Sequence, residues 1–186
     1  MKRLFDIVIA LAAAVGLLVP ALLVAIAVKL SSRGTVLYWS DRIGRDNHVF
    51  HMPKFRSMRT DAPVVATHLL DDADRWVTPL GRLLRVTSID ELPQLWSVLK
   101  GDMSLVGPRP ALFNQHDLIA LREQHGVHVL RPGLTGWAQI NGRDEIPIAQ
   151  KVALDAWYLQ HRSLALDLRI LVRTAFKVIR REDVAH

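Results

Sequence analysis

The chain has 186 residues, 50% hydrophobic and 23% charged, and its 24 Lys and Arg against 18 Asp and Glu give a net charge of +6. That apolar content excludes a disordered chain, and the lack of cysteine excludes disulfides, thiolate zinc sites and cysteine nucleophiles. The basic excess points to anionic partners: nucleic acid, anionic lipid or phosphorylated substrates.

Ile7 to Val28 is a run of 22 residues without a charge. One straight helix of that length would be about 33 Å long, the thickness of a bilayer core. Membrane contact is therefore expected. A cleaved signal peptide fits poorly, because the charged Asp6 stands at the start of the run. Pro20 lies inside the run with Gly16 four residues before it, so a kink is expected near Val19-Pro20. The arms 7–19 and 21–28 would then each fall short of a core about 30 Å thick. Lys2 and Arg3 precede the run, and Lys29 and Arg33 follow it. Two basic flanks suit a hairpin that enters and leaves on the cytoplasmic face; a kinked spanning helix satisfies only one of them.

Beyond the run, short β-type segments are predicted at Thr35–Trp39 and His48–Phe50, and a helix over 64–76. Leu92–Leu99 reads as a helix closed by Lys100-Gly101, Leu112–Gln124 as a helix ending before Gly126, and 131–143 as an irregular loop. Two more helices are predicted at Ile148–His161 and Leu164–Arg180. In the last, Arg169, Arg173, Lys177 and the Arg180-Arg181 pair share one face, while Leu168, Leu171, Val172, Ala175, Phe176 and Ile179 supply an apolar one. Beside an N-terminal membrane segment, this is the pattern of an interfacial amphipathic helix on anionic lipid.

The residues able to carry chemistry fall into four groups. Ser88 and Glu91 match a capping box, and Pro93 is tolerated only in a first helical turn, so Asp90 and Glu91 are placed at a helix start. Such acids can simply stabilise the helix dipole. They can also divide labour, one attacking phosphorus and the other holding a divalent cation. The second group is Gly107-Pro108-Arg109-Pro110, a rigid loop that would fix a guanidinium for phosphate. The third is a basic stretch, Arg42 and Arg45, then Lys54, Arg56 and Arg59 up to Asp61. The fourth is Arg131 to Arg143, whose glycines permit close backbone approach and whose Trp137, Gln139 and Asn141 could meet a base or sugar. The eight histidines are scattered and read as surface or core residues, not metal ligands. Only Phe50 and Phe55 lie near the basic stretch, so a nucleic-acid partner is not expected.

These pieces, in order, resemble the bacterial sugar transferases, the small monotopic polyprenyl-phosphate phosphoglycosyl transferases. The matching blocks are Lys2-Arg3-Leu4-Phe5-Asp6, the proline-interrupted run, Lys54-Phe55-Arg56-Ser57-Met58, Asp90-Glu91-Leu92-Pro93-Gln94, Lys100 to Pro110, and Arg131-Pro132-Gly133-Leu134-Thr135-Gly136. Such proteins often carry Ser before the helix-breaking proline, where Val19 stands here. The predicted elements add up to a mainly α fold with a little β, and the resemblance adds its membrane architecture. Residues 1–33 would form a re-entrant membrane helix-break-helix, and 34–186 a compact cytosolic catalytic domain with amphipathic interfacial helices. It implies a monotopic protein on the cytosolic face of the bacterial inner membrane. The implied reaction transfers a sugar-1-phosphate from a UDP-sugar to polyprenyl (undecaprenyl) phosphate, releasing UMP, as the first membrane step of glycoconjugate assembly. Asp90 would be the nucleophile, Glu91 with Asp90 would hold Mg²⁺, and Arg109, Arg85, Pro108, Arg131, Lys54 and Arg56 would contact substrate, with Asp61 a further candidate. The rival readings are a membrane phosphatase that passes the same aspartyl intermediate to water, and a non-catalytic basic membrane adaptor.

Overall fold

The computed structural model describes residues 1–63, 75–142 and 146–180, with side chains up to 178. Most of the expected helix at 64–76 therefore lies outside the described residues. The chain is mainly helical. The two N-terminal helices are α1 (Lys2–Gly16) and α2 (Leu18–Ser31), followed by an antiparallel hairpin of β1 (Leu37–Ile43) and β2 (Val49–Phe55). Then come α3 (Pro79–Val86), a 3₁₀ turn at Ile89–Glu91, α4 (Gln94–Lys100), β3 (Ser104–Val106) and α5 (His116–Gln124). Last are β4 (Gly133–Thr135), α6 (Trp137–Asn141), α7 (Ile148–His161) and α8 (Leu164–Arg180).

The break between α1 and α2 falls at Leu17, three residues ahead of the expected kink at Val19-Pro20. Proline's ring collides with the carbonyl four residues back, here Gly16, and Pro20 itself sits comfortably in the first turn of α2. The two helices meet at a bend of 61°. The arms are thus longer than expected, at 15 and 14 residues, or about 22 and 21 Å. Among the described residues no single helix is long and apolar enough to cross a membrane, whereas the bent pair together is.

One side of this pair is packed and the other is bare. Phe5, Ala10, Ala13 and Ala14 of α1 lie in one cluster with Leu95, Val98 and Leu99 of α4. Ala21, Val24, Ala25 and Val28 of α2 lie in another with Phe55, Leu84, Ile89 and Leu92. Leu4, Val8, Leu11, Val15, Leu18, Leu22 and Ile26, at helical spacing, are exposed. So long an apolar stripe is foreign to a water-facing helix.

The polar residues before the run tie it down. Arg3 donates to the carbonyls of Val98 and Leu99 at 2.6 and 2.8 Å, which satisfies the C-terminal end of α4. Asp6, buried, accepts from Ser104 Oγ at 2.9 Å and from the Leu105 N–H at 3.3 Å. Lys2 reaches buried Asp167 of α8 at 2.7 Å, and Tyr158 of α7 donates to the same carboxylate at 2.6 Å. Asp167→Ala removes the nearest acceptor of both groups, leaving Tyr158 only the Val106 carbonyl at 3.3 Å and Lys2 only the Asp6 carboxylate at 3.9 Å. It is expected to cost about 3 kcal/mol. In a chain of this size that is a drop in melting temperature of about 6–12 °C, read by thermal unfolding of detergent-solubilised protein.

The β-hairpin is longer than its apolar pattern suggested, because polar Asp41, Arg42, His51 and Lys54 extend the ladder from Leu37↔Phe55 to Ile43↔Val49. Its tight connection puts Asp46 and Asn47 at φ 54° and 60°, a conformation these short polar side chains tolerate. The segment 131–142 does not form the expected irregular loop. Gly133–Thr135 pairs in parallel with Ser104–Val106, and Trp137–Asn141 is helical. Its glycines serve chain-to-chain packing: a Cβ on Gly133 would stand 2.1 Å from the Gly107 nitrogen, and one on Gly136 2.0 Å from the Gly107 oxygen. Helix α5 begins at His116, four residues later than expected, because Leu112 bridges to Arg42 instead. Helices α7 and α8 occupy their expected ranges. In α8, Asp167 and Ile170 are buried, while Leu164, Leu168, Val172 and Phe176 form an exposed stripe one residue ahead of Arg169, Arg173 and Lys177.

Candidate active site

The site grows from the connection between α3 and α4. Thr78 caps α3, its hydroxyl accepting from the Gly81 N–H at 2.9 Å, with Pro79 in the first turn. The helix closes at Val86 with Arg85 in its last turn. Ser88 then takes a left-handed conformation (φ 55°), costly for a residue with a Cβ, and turns the chain into Ile89–Glu91. The expected capping box does not form: Ser88 makes no side-chain cap, and the Glu91 carboxylate turns away to cations. Pro93 immediately precedes α4, which stops where expected, at Gly101 (φ 106°).

Asp90 and Glu91 differ sharply although adjacent. Asp90 is 7% exposed. Burial pushes its carboxyl up to about 6; Lys54 opposes that, the Glu91 charge adds to it, and Arg85 and Arg109 pull it back. Glu91 is opposed by burial too, but Lys54 and Arg109 outweigh it and bring it down to about 2. Lys54 donates to Glu91 Oε1 at 2.7 Å, and Arg109 stands 3.7 Å from the same oxygen. Two neighbouring acids held that far apart can do different work near neutral pH. Glu91 is a fixed anion. Asp90 is a poorly solvated carboxylate, more basic and more nucleophilic than a surface one.

The cations converge from separate elements: Lys54 from β2, Arg85 from α3, and Arg109 from the loop after β3. Arg42 of β1 also acts on Glu91. From sequence alone, Arg42 belongs to the basic stretch but not to the expected site. Its signal is alternation: Arg42 pairs with Phe50 across the hairpin, so it shares a face with Met52 and Lys54. The other candidates make their contacts elsewhere. Arg56 is buried and donates to the Ser32 carbonyl and hydroxyl at 3.0 and 2.8 Å. Arg131 donates to the Gly101 carbonyl at 2.9 Å. Asp61 pairs with Arg59 at 2.7 Å on the surface. Pro108 accepts from the Gly133 N–H at 2.8 Å and lines a small cleft with Ile43, Ala111 and Leu130. Trp137 stacks on Trp157 with ring centres 4.6 Å apart, and Gln139 and Asn141 bond to nearby carbonyls.

No group of three or more candidate metal-binding side chains occurs among the described residues. The donor set is one ionised carboxylate with a second beside it. That set suits Mg²⁺, which takes one or two carboxylates and completes its shell with water and substrate phosphates.

Residues 1–181 match the family described as bacterial sugar transferase. The uncharacterized sugar transferase EpsL of Bacillus subtilis is 44% identical over 99% of this chain and 90% of its own length. An undecaprenyl-phosphate glucose phosphotransferase of Komagataeibacter xylinus is 42% identical over 97% of this chain and 35% of its own. An undecaprenyl-phosphate galactose phosphotransferase of Salmonella typhimurium is 34% identical over 98% and 41% respectively. The chain thus spans nearly all of the Bacillus relative and under half of the other two. It belongs to the bacterial sugar transferase family. It is an enzyme, of the phosphoglycosyl transferase class.

Proposed function

We propose that this enzyme moves a sugar-1-phosphate from a UDP-sugar onto undecaprenyl phosphate through a covalent intermediate on Asp90. The observation that carries the reading is the buried Asp90 carboxyl, raised to about 6 beside a Glu91 held near 2 by Lys54 and Arg109. Relatives named for transfer to undecaprenyl phosphate support the substrates. An Asp90 oxygen attacks the phosphorus that bears the sugar, and the bond from that phosphorus to UMP breaks. An oxygen of the lipid phosphate then attacks the same phosphorus, the aspartyl bond breaks, and polyprenyl diphosphosugar leaves. Splitting the transfer lets one site serve a soluble donor and then a lipid acceptor. Lys54, Arg85 and Arg109, whose charges act on the two carboxylates, would offset the charge that gathers on the phosphoryl oxygens. Glu91, with Asp90 beside it, would hold Mg²⁺, which when bound neutralises the donor diphosphate and eases departure of UMP.

The bent pair α1–α2 is read as a re-entrant hairpin on the cytosolic face of the bacterial inner membrane, with residues 34–186 as the catalytic domain. Members of the family are membrane-associated. Both basic flanks, the bare apolar stripe and the 61° bend favour this topology. The exposed stripe of α8 beside Arg169, Arg173 and Lys177 suits the surface of the same leaflet. The chain has no cysteine, so single cysteines introduced ahead of Met1 and at Lys29 report cleanly. Both are expected to react from the cytoplasmic side; labelling from opposite sides would rule the hairpin out.

The reaction is tested by trapping. Folded protein incubated with labelled UDP-sugars and no lipid should release UMP once per site and keep the phosphosugar bound. The adduct should vanish with EDTA present and return with Mg²⁺. Addition of undecaprenyl phosphate should discharge it to lipid, where discharge to water alone would mark a phosphatase. No adduct with any of a panel of donors would overturn the covalent mechanism.

A further inference from the structure

The loop that presents Arg109 has its carbonyls captured one after another. Pro108 O accepts from the Gly133 N–H at 2.8 Å, and Ala111 O from the Ile43 N–H at 2.9 Å. Pro110 O accepts from Arg42 at 3.2 Å, and the carbonyl of Arg109 itself accepts from Arg122 Nη1 at 2.8 Å. Arg122 lies on α5, outside the acidic site. Its Nε and Nη2 both donate to one oxygen of Asp155 on α7, at 3.0 and 2.7 Å. The two residues are 8% and 2% exposed.

A buried ion pair needs a reason. Apolar side chains of similar volume generally serve stability as well or better, and Ala111, Leu118 and Val152 already form an apolar cluster from the same elements. Burial still pushes the Asp155 carboxyl up against the pull of Arg122, so the pairing does not fully offset desolvation. What methionine and leucine would not supply is a donor for the Arg109 carbonyl. The guanidinium fork does: two branches are fixed by Asp155, which aims the third at that oxygen.

We infer that Arg122, held by Asp155, is a positioning residue that fixes Arg109 beside the acidic pair. The inference rests on the reading of Arg109 as a phosphate-binding group. It acts through placement, where an error of about 1 Å can cost about 100-fold in rate. It also gives the two helices α5 and α7, remote from the acids in sequence, a part in the reaction.

The test is a cycle of variants of the full-length protein, assayed by UMP release in the presence of undecaprenyl phosphate and followed by thermal unfolding. Arg122→Met with Asp155→Leu removes the pair without leaving a lone charge. That double variant is expected to melt at or above the wild-type temperature and to lose about 10- to 100-fold in kcat/KM. In an Arg109→Ala background the same double change should cost almost nothing further, since the group it positions is gone. Arg122→Lys is the second probe. An ammonium keeps the pairing with Asp155 but cannot fork to the carbonyl, so it should lose activity while remaining folded. Full activity in either the swap or the lysine variant would overturn the inference, as would an undiminished loss in the Arg109→Ala background, which a merely structural role predicts. If Arg109→Ala alone were as active as wild type, the reading of Arg109 would fall and this inference with it. An impaired Arg109→Ala beside an unimpaired swap would overturn the positioning role alone.

Discussion

Asp90→Asn is expected to abolish turnover, by about 10⁴-fold or more, and at the same time to make the protein more stable at neutral pH. On the proposed covalent mechanism, the first effect follows from loss of the attacking oxygen. The second follows from linkage. The Asp90 carboxyl titrates near 6 in the folded chain against an ordinary value of 3.8. The folded state therefore holds that proton more tightly than the unfolded one. Stability falls as pH rises from about 4 to 6, and above 6 the fold carries a buried charge at a cost of about 3 kcal/mol. Asparagine removes the charge. The variant should melt about 6–12 °C above wild type at pH 7 in EDTA, and the gap should close by pH 4. Wild-type turnover by the variant would remove the nucleophile assignment. An inactive variant with no gain at pH 7 would instead remove the burial account.

Lys54→Ala carries the second large effect. Lys54 is the cation acting most strongly on both carboxylates. Glu91 is depressed from 4.5 to about 2, so it stabilises the fold above pH 4.5, and that contribution is lost as pH falls towards 2. Without Lys54, neutral-pH stability should drop by about 2–3 kcal/mol, and the difference from wild type should shrink below pH 4.5. Activity should change in shape as well as size. Lys54 also pulls the Asp90 carboxyl down, so its loss raises the pH at which that carboxyl ionises. The acid limb of the rate profile, expected near pH 6 in wild type, should move upward. A profile scaled down without moving would show that Lys54 contacts substrate but does not tune Asp90.

The parts of the fold legible from sequence were those set by local pattern. Helices α7 and α8 fell on their expected residues because the apolar spacing runs unbroken between Pro147, the Arg162-Ser163 step and Arg180. The stop at Gly101 followed from glycine in a left-handed cap. What was illegible depended on distant partners. Glycine admits a neighbouring backbone as readily as a ligand, so Gly133 and Gly136 were read as a ligand approach when they pack on Gly107. The Ser88–Glu91 spacing suggested a capping box, but Lys54, far away in sequence, is a stronger partner for that carboxylate than a backbone N–H. Arg42 could be assigned to the site only once the hairpin register placed it on the face of Lys54. The blocks around Asp90 and Arg109 were visible in sequence because the turn and the proline-locked loop are local; their convergence was not.

Ile89 and Leu92, which bracket the acidic couple, pack into α2. A tilt of that helix would be passed on to the turn that carries Asp90 and Glu91. With the α1–α2 pair seated in lipid as proposed, a bilayer too thick or too thin for it would strain its bend by a fraction of a kcal/mol per ångström of mismatch. Acyl-chain length would then act as a throttle on the rate, with no substrate atom altered.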